Sequence, residues 1–359
     1  MATNTQLPPH IEKMRSRVGV GFKKVHNPVG VYGARTFESL GYDNSLNMDD
    51  FKNNLEIQVS FCDPDRVVFD VVHVDAPIAN AIRRILLVEV PSIAVETVYV
   101  HSNNSIMHDE MLAHRLGLIP LRIDPRSFTV WKKGDEVTTQ NTVKFSLKVR
   151  CEMNKSAPRD DEAPPDVLYK GHKVYSGDMK YVPMPGQSFA VPPAPVHDDI
   201  VLAKLGPGQD IHIEMNATKN IGKEHAKWSP VSTASYRLLP EVTITKEARG
   251  QLAMGLKNLC PANVFDIEDD HAVVRRPRDC TMCRECIRET PFSDHVELTR
   301  KRDHFIFDVE STGVMPADSL VTQALNVLVE KCDMVLEGLD TAIKRSSGGD
   351  SDVDFTAAD

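Results

Sequence analysis

The chain has 359 residues, 26% charged and 41% hydrophobic, and its 42 Lys+Arg against 51 Asp+Glu leave a formal net charge of −9. At a prior of roughly 100–200 residues per domain, that length makes about two or three globular modules of ordinary soluble composition. Net acidity excludes a surface that coats nucleic acid throughout, the lack of any apolar run near ~18 residues excludes a membrane span, and the N-terminal MATNTQLPPHIEKMRSR lacks the apolar stretch of a secretory signal.

Residues 1–53 carry no sustained periodicity and read as an extended N-terminal arm. From there Leu55, Ile57, Val59 and Phe61 alternate with Glu56, Gln58 and Ser60, which predicts a half-buried strand. The Asp63-Pro64-Asp65 turn ends it, and 66–74 is a second β-rich run. Asp75 offers an N-cap ahead of Ala76-Pro77. The helix that follows places Ile78, Ile82, Ile85 and Leu86 on one face and Asn80, Arg83, Arg84 and Leu87 on a separate stripe. Pro91 stops it. Residues 92–100 read as a strand and 109–116 as a short helix closed by Gly117. The Pro-dense stretches 154–165 and 183–195 read as surface excursions. Further on, Ile211, Ile213 and Met215 mark a strand, 247–259 a helix, and 296–302 and 305–310 two more strands. No internal repeat is present.

The longest helix spans 316–344. Val321, Leu325, Leu328, Cys332, Val335, Leu339 and Ala342 step alternately by four and three residues, a heptad seam. About 29 residues at ~1.5 Å each make a rod roughly 40 Å long. A rod of that length can pack inside its own domain, but the seam, with the Ile/Leu face of the 75–90 helix, points to docking of a second chain. The tail 346–359 (SSGGDSDVDFTAAD) is polar and acidic and is expected to be disordered.

With no export signal, the seven cysteines are expected in a reducing compartment, where clustered thiols mean metal more often than disulfides. Cys280, Cys283 and Cys286 form C-x2-C-x2-C within RPRDCTMCRECIRET. Bacterial-type ferredoxins extend this run by x3-C-P, but here that position is Thr290, followed by Pro291. Upstream, Cys260-Pro261 has the Cys-Pro form that ends a preceding half-motif, whose other positions, Gly250, Ala253 and Leu256, are not cysteine. Cys260, Cys280, Cys283 and Cys286 therefore make a full ligand set for one iron–sulfur cluster, with the second erased and 262–274 fitting the connecting hairpin. Four-cysteine zinc sites more usually show two separated C-x2-C pairs. Zinc, or a vestigial module with free thiols, remains the alternative. With no flavin or dinucleotide fingerprint, a cluster here reads as a structural clip whose binding energy is folding energy. Cys62, Cys151 and Cys332 are isolated and read as core or surface thiols.

An enzymatic constellation is missing. His225 lies between Lys223 and Lys227 in a basic loop, Ala217 stands where a P-loop needs glycine, and no H-E-x-x-H motif occurs. A free-standing iron–sulfur oxidoreductase or hydrolase is the distant alternative. The basic runs Arg275-Arg276-Pro277-Arg278 and Arg300-Lys301-Arg302 are diluted by Asp279, Glu285 and Asp303. They read as solvated faces, with no sequence-specific DNA binding.

Four stretches carry a resemblance: DAPIANAIRRILLVEVPS (75–92), SIMHDEMLAHRLGLIPL (105–121), KEHAKWSPV (223–231) and STGVMP (311–316). They resemble the alpha-like assembly subunits of cellular RNA polymerases, bacterial alpha and archaeal D included, over about residues 54–344. The resemblance implies an α+β fold: a dimerisation domain of a sheet and two helices (54–104 and 292–345), an inserted β-rich domain (105–255) and a ferredoxin-like cysteine module (256–291). It implies a non-catalytic scaffold in the nucleus, the magnesium-binding carboxylates of polymerisation lying on the largest subunit. The implied partners are a smaller alpha-like subunit, small zinc-binding subunits and the second-largest catalytic subunit. Arg83 and Arg84 are expected to face outward, at least one of them contacting a large catalytic subunit, since guanidinium forks suit carboxylates across an interface. Within the family, 41–54 (GYDNSLNMDDFKNN) and 197–200 (HDDI) look most like the subunit shared by eukaryotic RNA polymerases I and III, with the RNA polymerase II counterpart as runner-up.

Overall fold

In the computed structural model, which describes residues 6–28, 36–132, 134–156, 164–288 and 291–347, the chain folds as two units. One comprises Met1–Phe61, Val68–Asn80 and Ser235–Asp308; the other comprises Cys62–Val67, Ala81–Ala234 and Val309–Asp359. The main elements in chain order are α1 (Pro9–Ser16), β1 (Arg17–Val20), α2 (Met48–Asn54), β2 (Glu56–Cys62), β3 (Arg66–Val72), α3 (Ala76–Val88), β4 (Ser92–Asn103), α4 (Asp109–Gly117) and β5 (Thr142–Arg150). They continue with β6 (Met179–Val182), β7 (Asp210–Asn220), β8 (Val231–Ile244), α5 (Gln251–Leu259), β9 (Phe265–Glu268), β10 (His271–Val274), β11 (Val296–Ser311) and α6 (Ala317–Ser347). The mixed α and β class agrees with the expectation. Among the described residues no helix is long and apolar enough to cross a membrane.

The first unit is built on β11. Its sheet runs Val25–His26, β1, β11, β3, β2, with β8 also paired to β11. The 1–53 segment is therefore not simply an extended arm. β1 pairs antiparallel with β11, Arg17 opposite Lys301 and Val20 opposite Leu298, and Asn47 caps α2 by accepting from the Asp49 and Asp50 amides at 3.0 and 3.4 Å. A four-residue strand is too short to show a period, and its stability comes from a partner almost 300 residues away in sequence. β11 is also one continuous strand where two were expected. The Arg300–Arg302 run lies inside the sheet, and Arg302 is only 7% exposed rather than solvated.

β2 departs from its expected half-burial. It forms an edge of the sheet, paired with β3, and all seven of its residues are exposed, Ile57, Val59 and Phe61 by half or more. The alternation correctly signals a strand, but it cannot say what covers its apolar face.

Under the sheet's aromatic layer, where Phe69 stacks on Phe307 at 5.1 Å, sits Asp70, 2% exposed. Arg278 donates two hydrogen bonds to its carboxylate at 2.6 Å, and His304 Nε2 lies 2.8 Å away. Arg278 thus belongs to a buried pair, correcting its reading as part of a solvated basic face.

The second unit contains the sheet β6-β5-β7-β4. Ile211, Ile213 and Met215 of β7 point into its core with Phe145, Leu147, Leu202 and Leu205, as their alternation predicts. Leu112 and Leu116, one turn apart on α4, fill the same core. Of the expected surface excursions, 157–163 lie outside the described residues. The end of 183–195 is instead tied down, Ala194 and Pro195 pairing with Arg122 and Leu121.

Removing the Arg278 guanidinium is expected to destabilise the fold. Arg278→Ala leaves the Asp70 carboxylate buried and short of its strongest partner, a loss of about 3 kcal/mol. That is the low end for breaking a buried pair, because water reaches the Arg278 side, which is 38% exposed. Burial pushes the Asp70 carboxyl up, but the hydrogen bonds from Arg278 and His304 outweigh it and hold it below the usual range. A depressed carboxyl contributes stability above its unfolded pKa of about 3.9, and loses it as pH falls toward the lower folded value. Thermal melts of wild type and Arg278→Ala from neutral pH to about pH 3 test this; matching curves throughout would disprove the role.

Candidate functional site

The long helix α6 divides into two halves. Ala317, Leu320 and Ala324 are fully buried, and Val321, Val327 and Leu328 are half-buried. From Lys331 to Lys344 every residue is exposed. Glu89, just past α3, pairs with Lys331 at 2.8 Å. Helical segments of this length are marginal alone and depend on packing of an apolar face. Yet Met334, Val335, Leu336, Leu339 and Ile343 are each more than half exposed. Of the predicted seam, Leu325, Cys332, Val335, Leu339 and Ala342 lie on the surface. The structure adds Val329, Leu336 and Ile343, spaced by seven, one position from the chosen track. This second heptad was legible in the sequence once the repeat was allowed to drift.

The expected contribution of α3 needs correction. Ile82, Ile85 and Leu86 are 7%, 2% and 0% exposed, so they are covered by the chain's own interior and offer nothing to a partner. Ile78, at 40% exposed, is left at the surface. An apolar helix face signals burial, and sequence spacing does not distinguish burial within a chain from burial between chains. Arg84 is exposed and Arg83 half-buried, so the pair does not point uniformly outward.

The cysteines form the second candidate. Cys260 follows directly on α5, and the β9–β10 hairpin then brings the chain back with Phe265 opposite Val274 and Glu268 opposite His271. Its two-residue loop, Asp269-Asp270, has φ of 48° and 69°, the double left-handed turn of a tight hairpin. This is the connection expected over 262–274. Within the C-x2-C-x2-C run, Met282 and Arg284 take φ of 59° and 67°, a conformation non-glycine residues adopt rarely. The two reversals fold the run so that Cys280, Cys283 and Cys286 line one cavity with Cys260, Val242, Val264, Phe265 and Leu298. The cavity holds about 20 Å³, room for one water-sized body. Thr290 lies outside the described residues.

Burial, reinforced by the three neighbouring thiols, pushes the Cys286 thiol up to about 12. Burial also raises Cys280, where Arg300 acts in the opposite sense. Four sulfurs around a largely apolar cavity make a donor set suited to a thiophilic metal, and metal binding there would release thiol protons. Arg278 fixes the entry to the run. While its guanidinium holds Asp70, its carbonyl accepts from Arg237 at 2.9 Å.

His225 serves the local backbone. Its Nδ1 accepts from the Lys227 amide at 3.1 Å, capping a single helical turn. Lys227 in turn bonds to Glu96 and lies over the Trp228 ring at 4.3 Å.

Residues 68–332 match the family described as the RNA polymerase Rpb3/Rpb11 dimerisation domain. Relatives from different eukaryotes match over most of the chain. The chain is 45% identical over 338 residues to DNA-directed RNA polymerases I and III subunit RPAC1 of Homo sapiens, covering 92% of this chain and 97% of that protein. It is 42% identical over 347 residues to the corresponding rpac1 of Dictyostelium discoideum, covering 95% and 98%. DNA-directed RNA polymerase subunit Rpo3 of Methanosphaera stadtmanae is more distant, at 34% over 285 residues, with 79% and 97% covered. With an apolar helical seam open to solvent and most of its length under one profile, the chain belongs to the RNA polymerase Rpb3/Rpb11 dimerisation-domain family.

Proposed function

We propose that this chain is the assembly subunit shared by RNA polymerases I and III, acting as a non-catalytic scaffold in the nucleus. Proteins bearing that name are 39–45% identical to it over about nine-tenths of its length. The observation that carries the reading is the exposed half of α6, since a dimerisation domain needs an apolar surface that its own chain leaves open. A smaller alpha-like subunit would lay a helix along Leu325, Val329, Leu336 and Leu339. Each large apolar side chain buried there contributes roughly 1.5–3 kcal/mol. The heterodimer would then present Arg84, with Arg83 beside it, to the second-largest catalytic subunit and join the small zinc-binding subunits.

Cys260, Cys280, Cys283 and Cys286 would hold one structural centre in this scaffold. The three-residue spacing and the Cys-Pro form favour an iron–sulfur cluster, with a zinc ion as the alternative. Either would cross-link α5 to the cysteine run and supply folding energy rather than electron transfer.

Leu339→Asp should leave the melting of the lone chain unchanged, because Leu339 is 54% exposed there. It should nevertheless abolish co-purification with the smaller subunit by placing a carboxylate in an apolar seam. Retention of the partner at wild-type yield would refute the interface. Arg84→Ala should spare the heterodimer and reduce recovery of the large subunits; undiminished recovery would rule out the contact. For the cysteines, anaerobic purification with iron, sulfide and zinc analysis should find one centre per chain, lost in Cys286→Ser. Iron with sulfide identifies the cluster and zinc without sulfide the ion, while a metal-free chain of unaltered stability would eliminate both.

A further inference from the structure

The strand pair β4–β7 carries a group of side chains that neither the dimer seam nor the cysteines involve. In β7, inward-pointing Ile211 and Ile213 alternate with His212 and Glu214, so these two share the outer face one strand repeat apart. The register against β4 shifts between His212 and Ile213: Ser102 stands opposite His212, and Val100 opposite Ile213. His101 is the extra residue of a β-bulge, and bulges re-aim side chains. Here the result is that His101 joins the outer face beside His212, with ring centroids 4.8 Å apart. Its Nε2 lies 3.7 Å from Glu214 Oε1. One ligating atom from each of the three lies within 4.8 Å of the others.

We propose that His101, His212 and Glu214 form a surface site for one divalent transition-metal cation of the zinc class. Two imidazole nitrogens and one carboxylate oxygen are a borderline-soft donor set that selects zinc, cobalt or nickel over magnesium and calcium. Zinc–nitrogen bonds of about 2.0–2.1 Å put tetrahedral ligands roughly 3.3 Å apart. The His101–Glu214 distance already approaches this, and small rotations of two exposed side chains close the rest. With three protein ligands, the fourth position stays open to water.

The bulge is held in place independently of any ion. Ser102 Oγ and Asn104 Nδ2 both donate to the Asp210 carboxylate, at 2.9 and 2.7 Å, and the Asn104 amide donates to the Asp210 carbonyl at 3.1 Å. This clamp keeps His101 over His212 and occupies the Asp210 carboxylate. Lys148 stands opposite His212 on β5 and is the nearest opposing charge by register. It is exposed, so its flexible stem can carry the ammonium away into water. An ion here cross-links neighbouring strands at the point where their ladder is broken.

Cobalt(II) tests the site, because its spectrum separates nitrogen and oxygen ligands from thiolates. Full-length chain cleared of loosely held metal by EDTA dialysis should take up one equivalent of Co2+. That equivalent should give weak visible bands without sulfur-to-cobalt charge transfer, and Zn2+ should displace it. His101→Gln and His212→Gln should each weaken binding by at least the roughly 10–100-fold that loss of a supporting group costs a metal site. His108→Gln, outside the cluster, should bind like wild type. Both ligand histidines are surface-accessible, so circular dichroism should be unchanged in all variants. The proposal is overturned if the His101→Gln, His212→Gln double variant keeps the thiolate-free equivalent, or if cobalt binds only with thiolate bands.

Discussion

The fold of the first unit depends on one buried carboxylate. Asp70 sits in the middle of β3, among residues whose apolar neighbours Val67, Phe69 and Val71 define the sheet's inner layer. A bare charge there costs several kcal/mol, so its position is tenable only while Arg278 and His304 reach it. Arg278 lies two residues before Cys280. The requirement to neutralise Asp70 therefore determines where the cysteine run leaves the sheet, and Arg237, by holding the Arg278 carbonyl, fixes the direction in which it leaves. In the structure the start of the cysteine run is anchored to the main sheet through an ion pair.

A different physical rule governs α6. Its first turns are helical because Ala317, Leu320 and Ala324 pack into the core. The remainder is helical by continuation, with an apolar stripe facing water. Cooperative helix growth makes such an extension possible, and burial of the stripe makes it useful. The proposed dimerisation role rests on a mismatch between what the helix can bury at home and what it carries.

Periodicity made most of the elements legible. The long helix α6, the inward residues of β7 and the hairpin after Cys260 all followed from local spacing, whereas α4 runs on through Gly117, which makes no left-handed turn, and is capped at Leu118. What stayed hidden depends on distant partners. β1 is four residues that become a strand only against β11. Ile82, Ile85 and Leu86 are an apolar face whose cover is tertiary. Arg278 looked solvated because Asp70 lies about 200 positions away in the chain. His101 joins His212 through a register slip that no spacing rule encodes, whereas Cys260 could be paired with its distant thiols because the Cys-Pro form is itself a local signature.

The split character of α6 also bears on how the chain fares in the cell before it meets a partner. A copy made in excess keeps a row of exposed aliphatic side chains on its last helix, the kind of surface that chaperones and proteases survey. Orphan copies would be removed and partnered ones spared, so the steady-state level of the chain should follow the supply of the protein that covers the helix.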